Sequence, residues 1–327
     1  MVVGLGLILL QLLPNLGGQR VGISALTFLR IDPSPRAAGL AGAAITLKQD
    51  PFAAYWNPGA LTSLPHLSVA TSHTFWIAGL DYAYATILFP LRHSHRLGFQ
   101  GQFLTSGPME RRTEFQPTGT GEYFSATYWA MGPVYAYEFS DRFAAGGSFK
   151  VVREQLDFFT ATTWTVDVGF LYQTDVRDFR FGVVVQNFGP NSRLRVRQRQ
   201  RDRAADLTLG SYPAPTLFAL GAALRVWAHN AHKVEAFLQL NHPNDNAENL
   251  RFGVEYSYTG LLFVRLGQKI GVMEQYVPTA GLGLAKGWGR GRLRLDYAAE
   301  WLGPLGLQHR IGLVWERLVS SVSRSSS

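Results

Sequence analysis

The chain has 327 residues, of which 46% are apolar and only 17% are charged, whereas soluble proteins usually carry about 25% charged residues. The absence of cysteine excludes a disulfide framework, a thiolate metal site and a cysteine nucleophile. The net charge is +8 and only five basic residues are lysines, so the excess is mainly arginine, which suits phosphates of nucleic acid or of lipid headgroups.

Residues 1–20 begin with the apolar stretch MVVGLGLILLQLL. Its apolar core of about a dozen residues has the length of a signal-peptide core and is too short for a membrane-spanning helix. We therefore interpret it as an export signal, and the alternative is a buried N-terminal strand or helix. The rest of the sequence has no apolar run long enough for a membrane helix. A membrane location would thus require a β-barrel.

Residues 21–65 do not have the pattern of a long helix or strand. They contain the small-residue run RAAGLAGAA (Arg36 to Ala44), followed by DPFAAYWNPGAL (Asp50 to Leu61). The second stretch joins two aromatic residues to an Asn-Pro-Gly turn. We predict a compact segment that precedes the strands.

Residues 66–318 alternate between apolar and polar positions in about fourteen segments, each about 10 to 15 residues long. In RLRLDYAAEW, one face has Leu293, Leu295, Tyr297, Ala299 and Trp301, and the other has Arg292, Arg294, Asp296 and Glu300. Several segments are bracketed by Trp or Tyr. This pattern predicts an all-β fold, an antiparallel transmembrane β-barrel with apolar residues facing lipid. The alternative is a soluble β-sandwich or a lipocalin-like barrel.

Two long polar stretches, Ser106 to Glu122 and Gly189 to Pro215, are predicted as loops outside the bilayer or folded into the lumen. The second contains the strongest charge feature of the chain, Arg193, Arg195, Arg197, Arg199, Arg201 and Arg203. No aromatic residues are interleaved with these arginines, which argues against nucleic acid as a partner. We interpret them as a candidate surface for a protein partner, or for the phosphates of membrane lipid and lipopolysaccharide. A solvated loop without a specific role is the alternative.

The sequence gives little support for a catalytic or metal site. His93 and His95, and His229 and His232, form pairs without a third ligand nearby in sequence. No G-x-S-x-G motif is present. We therefore expect no metal, no cofactor and no enzymatic activity, although Ser and His on barrel strands leave a hydrolase as an alternative. The carboxylates of Asp167, Glu255, Asp296 and Glu300 are predicted to form ion pairs in the lumen.

The block PRAAGLAGAAITLKQDPFAAYWNPGAL resembles the N-terminal signature of the PorV/PorQ proteins within the larger FadL-like outer-membrane family. The matching positions are Arg36, Gly39, Gly42, Asp50, Asn57, Pro58 and Leu61. Further similar motifs are VVQNFGP, YPAPTLFALGAALR and FGVEYSY, and the resemblance covers nearly everything after Val21. The polar tail at 319–327 departs from the family, whose last strand usually ends in an aromatic residue.

The resemblance implies a barrel of fourteen strands in the outer membrane of a Gram-negative, Bacteroidota-like bacterium. It also implies that the N-terminal segment folds into the lumen as a hatch, with Tyr55 and Trp56 filling space. For the PorV/PorQ branch the implied function is type IX protein secretion or surface attachment of cargo. The implied partners are translocon or attachment-complex proteins and the secreted cargo. The alternative is a FadL-like channel for hydrophobic small molecules.

Overall fold

The computed structural model describes residues 23–92, 94–200, 203–272 and 277–317. The predicted signal segment, the polar tail at 319–327, His93 and Arg201 lie outside these ranges. Among the described residues, no helix is both long enough and apolar enough to cross a membrane.

Fourteen strands form one closed antiparallel barrel, which confirms the predicted fold class. They are β1 (Ser68–Phe75), β2 (Asp81–Arg92), β3 (His95–Thr105), β6 (Ala126–Ser140), β7 (Phe143–Leu156), β8 (Phe159–Gln173), β9 (Arg180–Phe188), β12 (Leu217–His229), β13 (His232–Pro243), β14 (Asn249–Tyr258), β15 (Leu262–Ile270), β16 (Thr279–Trp288), β17 (Gly291–Trp301) and β18 (Leu307–Arg317). Each pairs with the next in this order, and β18 pairs with β1. The barrel therefore has no free edge.

Strand β17 has the predicted inward and outward faces. Leu295 and Trp301 are exposed on the outside, whereas Asp296 and Glu300 are buried on the inside. The other barrel strands repeat this alternation, so the outer surface carries many exposed large apolar side chains. Such a surface is stable in lipid and would be a liability in water.

The two ends of the barrel differ in the length of their connections. One end has short turns such as Asp141–Arg142, Asn230–Ala231 and Gly289–Arg290. The opposite end has most of the longer connections, including 106–125 and 189–216. We call these the short-turn end and the long-loop end. In outer-membrane barrels the longer connections usually face the outside of the cell.

The prediction of an irregular loop at Gly189–Pro215 is wrong. This stretch forms a hairpin of β10 (Ser192–Gln200) and β11 (Arg203–Tyr212), which pair with each other. Strand β10 also continues along β8, where Arg195 pairs with Thr160. The arginine run has the period of two that is typical of a strand. Its high charge favoured a loop in the sequence-based prediction, because a strand is usually recognised by an apolar face. Val196 is the last residue of β10 that pairs with β8, so at about 3.4 Å per residue the four residues up to Gln200 extend about 14 Å beyond the supporting strand.

The other long connection, 106–125, agrees better with its prediction. It is largely irregular and contains only a short ribbon of β4 (Met109–Glu110) and β5 (Tyr123–Phe124).

Residues 23–64, which we call the N-terminal segment, contain two short α-helices, α1 (Pro35–Gly39) and α2 (Ala53–Trp56). Two 3-10 helices cover Thr27–Arg30 and Pro58–Ser63. Helix α1 packs against β16 and β17, and the second 3-10 helix packs against β6, β7 and β8 on a different part of the wall. Most of the segment is buried, and its apolar residues form the main core together with inward residues of the strands.

Candidate functional site

Helix α1 lies unusually close to the barrel wall. Ser34 caps the helix, because its Oγ atom accepts a hydrogen bond from the N–H of Ala37 (3.2 Å), and Pro35 follows as the first helical residue. At its other end, a Cβ atom on Gly39 would lie only 3.0 Å from the Cα atom of Gly281 in β16. Glycine at both positions therefore allows the backbones of helix and strand to touch.

The Asn-Pro-Gly turn fixes the second half of the segment. Asn57 caps the 3-10 helix by accepting a hydrogen bond from the N–H of Gly59 (3.0 Å). Its Nδ2 atom donates to the carbonyl of Ile45 (2.7 Å) and to that of Phe170 in β8 (3.0 Å). Asn57 thus joins two parts of the N-terminal segment to the wall through hydrogen bonds to backbone carbonyl groups.

The aromatic residues before this turn are buried. The hydroxyl of Tyr55 donates to the carbonyl of Leu29 (2.8 Å), and its ring meets that of Trp56 edge to face. Leu61 lies in a second apolar cluster near the short-turn end. All three side chains fill space within the N-terminal segment and against the wall.

A set of buried charges, which we call the central ion-pair network, joins the segment to three strands. Its members are Arg36 and Asp50 of the segment, Glu255 of β14, Arg265 of β15, and Arg294 and Asp296 of β17. Three guanidinium groups face three carboxylates, so the network is formally neutral. Burial of charges in this number is tolerated only when they are paired.

Glu255 is the centre of this network. Its carboxylate accepts two hydrogen bonds from Arg36, from Nε (2.8 Å) and Nη2 (2.7 Å), and a third from Nε of Arg265 (2.6 Å). Burial alone would lower the pKa of the Arg36 guanidinium, but the attraction of Glu255 outweighs that cost and raises this pKa above its usual value. Asp50 makes longer contacts, 3.6 Å to Arg36 and 3.4 Å to Arg294.

Two further inward carboxylates that the sequence singled out, those of Asp167 and Glu300, are also bound to cations. Asp167 pairs with Lys150 (2.9 Å) and accepts a hydrogen bond from Ser148 (2.6 Å). Glu300 pairs with Lys269 and with Arg310 (2.7 Å to the latter). These contacts are the lumen ion pairs that the sequence predicted for Asp167, Glu255, Asp296 and Glu300.

An outer cavity of about 290 Å³ lies at the long-loop end, between the N-terminal segment and the wall. Trp76, Asn246, Val272 and Leu302, from four of the connections at this end, line it. The segment contributes Arg30, Ile31, Asp32, Ala38, Gly42, Tyr55 and Trp56, and the strands contribute Arg251, Lys269, Glu300 and Arg310, among others. Partial burial in this cavity raises the pKa of the Asp32 carboxyl to about 6, against the opposing attraction of Arg310.

The histidines face elsewhere. Nδ1 of His95 is hydrogen-bonded to the hydroxyl of Tyr135, and Nδ1 of His232 to that of Tyr256 (2.7 Å each). Across the described ranges, no group of three or more His, Asp or Glu residues is arranged to hold a metal ion.

The arginine run is separate from the central network. Arg193 and Arg195 are exposed on β10, and the backbones of Arg197, Arg199 and Arg203 continue the hairpin. The hairpin base meets the start of the N-terminal segment, where the N–H of Ala25 donates to the carbonyl of Pro213 (3.1 Å).

Sequence reasoning missed Arg251, Arg265 and Arg310 as functional residues. Each occupies an inward position of an alternating strand, so the signal was present. Arg265 lies directly opposite Glu255 in the β14–β15 ladder, and that pairing follows only when the register of the two strands is known.

No family model matches the sequence, and no curated protein matches it significantly. Solved structures share its fold. The Pseudomonas putida toluene transporter TodX is 12% identical, with a TM-score of 0.58 over 86% of this chain and 97% of that chain. The Ralstonia pickettii toluene transporter TbuX is 13% identical, with a TM-score of 0.54 over 89% of this chain and 100% of that chain. A Pseudomonas aeruginosa FadL homologue is 10% identical, with a TM-score of 0.53 over 87% and 97% of the two chains.

These likenesses show that the chain shares the fold of these transporters, a barrel that in this chain has fourteen strands. They agree with the fold that the resemblance implied and give no support to its PorV/PorQ branch.

Proposed function

We propose that this protein is an outer-membrane channel for compact hydrophobic molecules. The observation that carries the proposal is the outer cavity, which lies at the long-loop end and has the N-terminal segment as its floor. Several of the similar structures are described as toluene transporters or monoaromatic hydrocarbon channels, which makes such molecules the first substrates to test. The apolar outer surface and the closed barrel support the outer membrane as its location.

In this proposal the outer cavity receives the solute and the N-terminal segment controls its further passage. The segment occupies the lumen below the cavity and is held by the central ion-pair network. A solute therefore crosses only when part of the segment moves away from the wall. Helix α1 is the part we expect to move, because it is short and its contact with β16 depends on glycine backbones.

A second candidate is the PorV/PorQ-type function, in which the protein acts through translocon or attachment-complex proteins and secreted cargo. The specific observation in its favour is the β10–β11 hairpin, which projects arginine-rich sequence beyond the supporting strands. The ion-paired lumen is compatible with this candidate as well, because a partner protein has no need of a passage. Lipopolysaccharide phosphates are a further proposed contact for the same arginines.

Proteoliposomes that contain the purified full chain distinguish the two candidates. The channel proposal expects uptake of toluene above that of protein-free liposomes. It also expects a changed uptake rate after Gly39→Leu, whose side chain displaces α1 from Gly281. Shortening the hairpin between Ser192 and Tyr212 is the matched control and should leave uptake unchanged.

The outcome that would replace the channel proposal is equally specific. Toluene uptake would equal that of protein-free liposomes, and proteins that co-purify from native outer membrane would be lost when the hairpin is shortened. That pair of results would favour the second candidate.

A further inference from the structure

The size of the outer cavity restricts what it can hold. Its volume of about 290 Å³ equals about ten water molecules at their share of liquid volume, and lies at the lower end of the range for small-molecule pockets. Aromatic rings of Tyr55, Trp56 and Trp76 contribute to its wall, together with the aliphatic side chains of Ile31 and Leu217. A ligand of about ten non-hydrogen atoms therefore matches this volume.

Arg251 differs from most of the other inward arginines. Its Nε donates to Oδ1 of Asn249 (3.1 Å), its Nη1 lies 3.5 Å from the carbonyl of Gly42, and the amide of Asn241 is adjacent. Within the described ranges, no carboxylate lies within 4 Å of its guanidinium. The inward arginines that do have such a carboxylate include Arg36, Arg180, Arg265, Arg294 and Arg310. A partly buried cation that touches only neutral groups favours the arrival of an anion.

Trp56 lies beside Arg251 in the wall of the same cavity. Its side chain is 4% exposed, and its indole N–H has no acceptor among the described residues. Gly42 lies between the two side chains, since a Cβ atom there would press on Nη1 of Arg251 and lie 3.5 Å from Cη2 of Trp56. The guanidinium of Arg251, which has no carboxylate partner in the described ranges, and the indole ring of Trp56 thus border one small cavity.

The other charges of the wall limit the charge of the ligand. Lys269 and Arg310 are bound to Glu300, and Arg30 is bound to Asp245. Asp32 adds a carboxyl group that repels anions when it is ionised. A single negative charge matches Arg251, whereas a doubly charged anion would meet additional repulsion from Asp32 and Glu300.

We propose that the outer cavity binds a compact aromatic carboxylate, with the carboxylate at Arg251 and the ring against Trp56 and Trp76. This inference deepens the proposed channel function, on which it rests for its biological meaning, by naming the substrate class. It separates this protein from a channel that accepts any apolar molecule, because a neutral ring leaves Arg251 without a counter-charge.

Calorimetric titration of the detergent-purified full chain tests the proposal. Benzoate is the probe, and benzamide is the neutral molecule of the same shape. We expect benzoate to bind at least about tenfold more tightly than benzamide. Arg251→Gln should remove that preference, and Arg251→Lys should retain part of it. Arg142→Gln is the control, because Arg142 is exposed at the short-turn end and pairs there with Asp175 (2.7 Å).

Three results would overturn the inference, provided that each variant keeps its heat-dependent gel mobility. The first is equal affinity for benzoate and benzamide. The second is an unchanged preference in Arg251→Gln. The third is displacement of benzoate by inorganic phosphate at equal concentration, which would indicate a general anion site. Trp56→Phe removes the pyrrole ring and keeps a six-membered aromatic ring, so weaker benzoate binding in that variant would support contact of the ligand with the indole.

The channel and the binding site can fail separately. If toluene crosses proteoliposomes but benzoate binds no better than benzamide, the substrate class is wrong and the channel proposal stands. If benzoate binds through Arg251 but neither benzoate nor toluene crosses, the cavity is a binding site and the channel proposal fails.

Discussion

Replacing Glu255 by Gln should release the N-terminal segment from the barrel wall. The substitution keeps the shape of the side chain but removes the charge that receives both hydrogen bonds from Arg36. Arg265 keeps its contact with Asp296 (2.7 Å), so Arg36 is the group left mainly uncompensated. Its remaining contacts are the carbonyl of Lys48 (3.0 Å) and the longer contact to Asp50.

The size of the effect follows from the burial of this pair. Breaking a buried ion pair from one side typically costs about 3–5 kcal/mol. If that cost falls on the docking of the segment rather than on the barrel ladder, the undocked population rises by about two to three and a half powers of ten. The ladder itself contains no bond through this carboxylate, so the barrel should remain closed.

Hydrogen–deuterium exchange of the full chain in detergent measures this directly. The N–H of Ala38 donates to the carbonyl of Ser34 (2.9 Å) within α1, and this and neighbouring amides should exchange faster in Glu255→Gln. Amides of the β14–β15 ladder should keep their protection. Glu122→Gln is the control, since Glu122 is exposed in a loop, where ion pairs contribute at most about 1 kcal/mol.

Unchanged exchange in α1 would refute the reasoning, because the network would then not hold the segment. If Glu255→Gln fails to form a barrel at all, Arg36→Gln removes the same contact from the side of the segment and leaves Glu255 bound to Arg265.

Three further predictions concern lipid exposure, pH and the turn. Leu295→Arg, near the middle of β17, should lower the free energy of unfolding by about 2–4 kcal/mol. Leu305→Arg in the outer turn should lower it by at most about 1 kcal/mol. Urea titrations of the two variants in lipid vesicles measure the difference. Because the folded pKa of Asp32 is raised to about 6 from 3.8, its contribution to stability is fully present below about pH 4 and is lost as the pH rises through 6. Asp32→Asn should therefore stabilise the protein more at pH 7.5 than at pH 4.5, and equal effects at both pH values would contradict this. Asn57→Ala should lower the free energy of unfolding by about 2–4 kcal/mol, because it removes the helix cap and two hydrogen bonds to carbonyl groups. Hydrogen exchange of the N-terminal segment measures this, and wild-type exchange rates in the variant would contradict it.

The sequence predicted those features that depend on local periodicity. Alternation assigned Leu295 and Asp296 to opposite faces of β17, because a period of two is a property of each strand by itself. The Asn-Pro-Gly turn likewise has a local explanation, since Asn57 caps the residues that follow it. The arginine hairpin has the same period but was predicted as a loop, because charged side chains on a strand outside the bilayer give no apolar face to recognise.

Features that depend on contacts between distant residues were not predictable. Glu255 and Arg265 pair because β14 and β15 have one particular register, and a shift by one residue would place one of them in lipid. Arg36 then joins them across 219 positions of sequence. The outer cavity has the same origin, since its wall combines the N-terminal segment with four separate connections.

The outer cavity and the central ion-pair network differ in the charge that they offer to an anionic ligand. The central network balances three guanidinium groups with three carboxylates, so a carboxylate ligand finds no free counter-charge there while Arg36 stays on Glu255. The outer cavity, by contrast, includes Arg251, which has no carboxylate within 4 Å in the described structure. An anion would therefore bind first at the outer cavity and progress only when α1 leaves the wall, because that movement separates Arg36 from Glu255 and exposes a second cation. In such an arrangement the ion pairs that close the lumen would also supply the next binding group for the ligand.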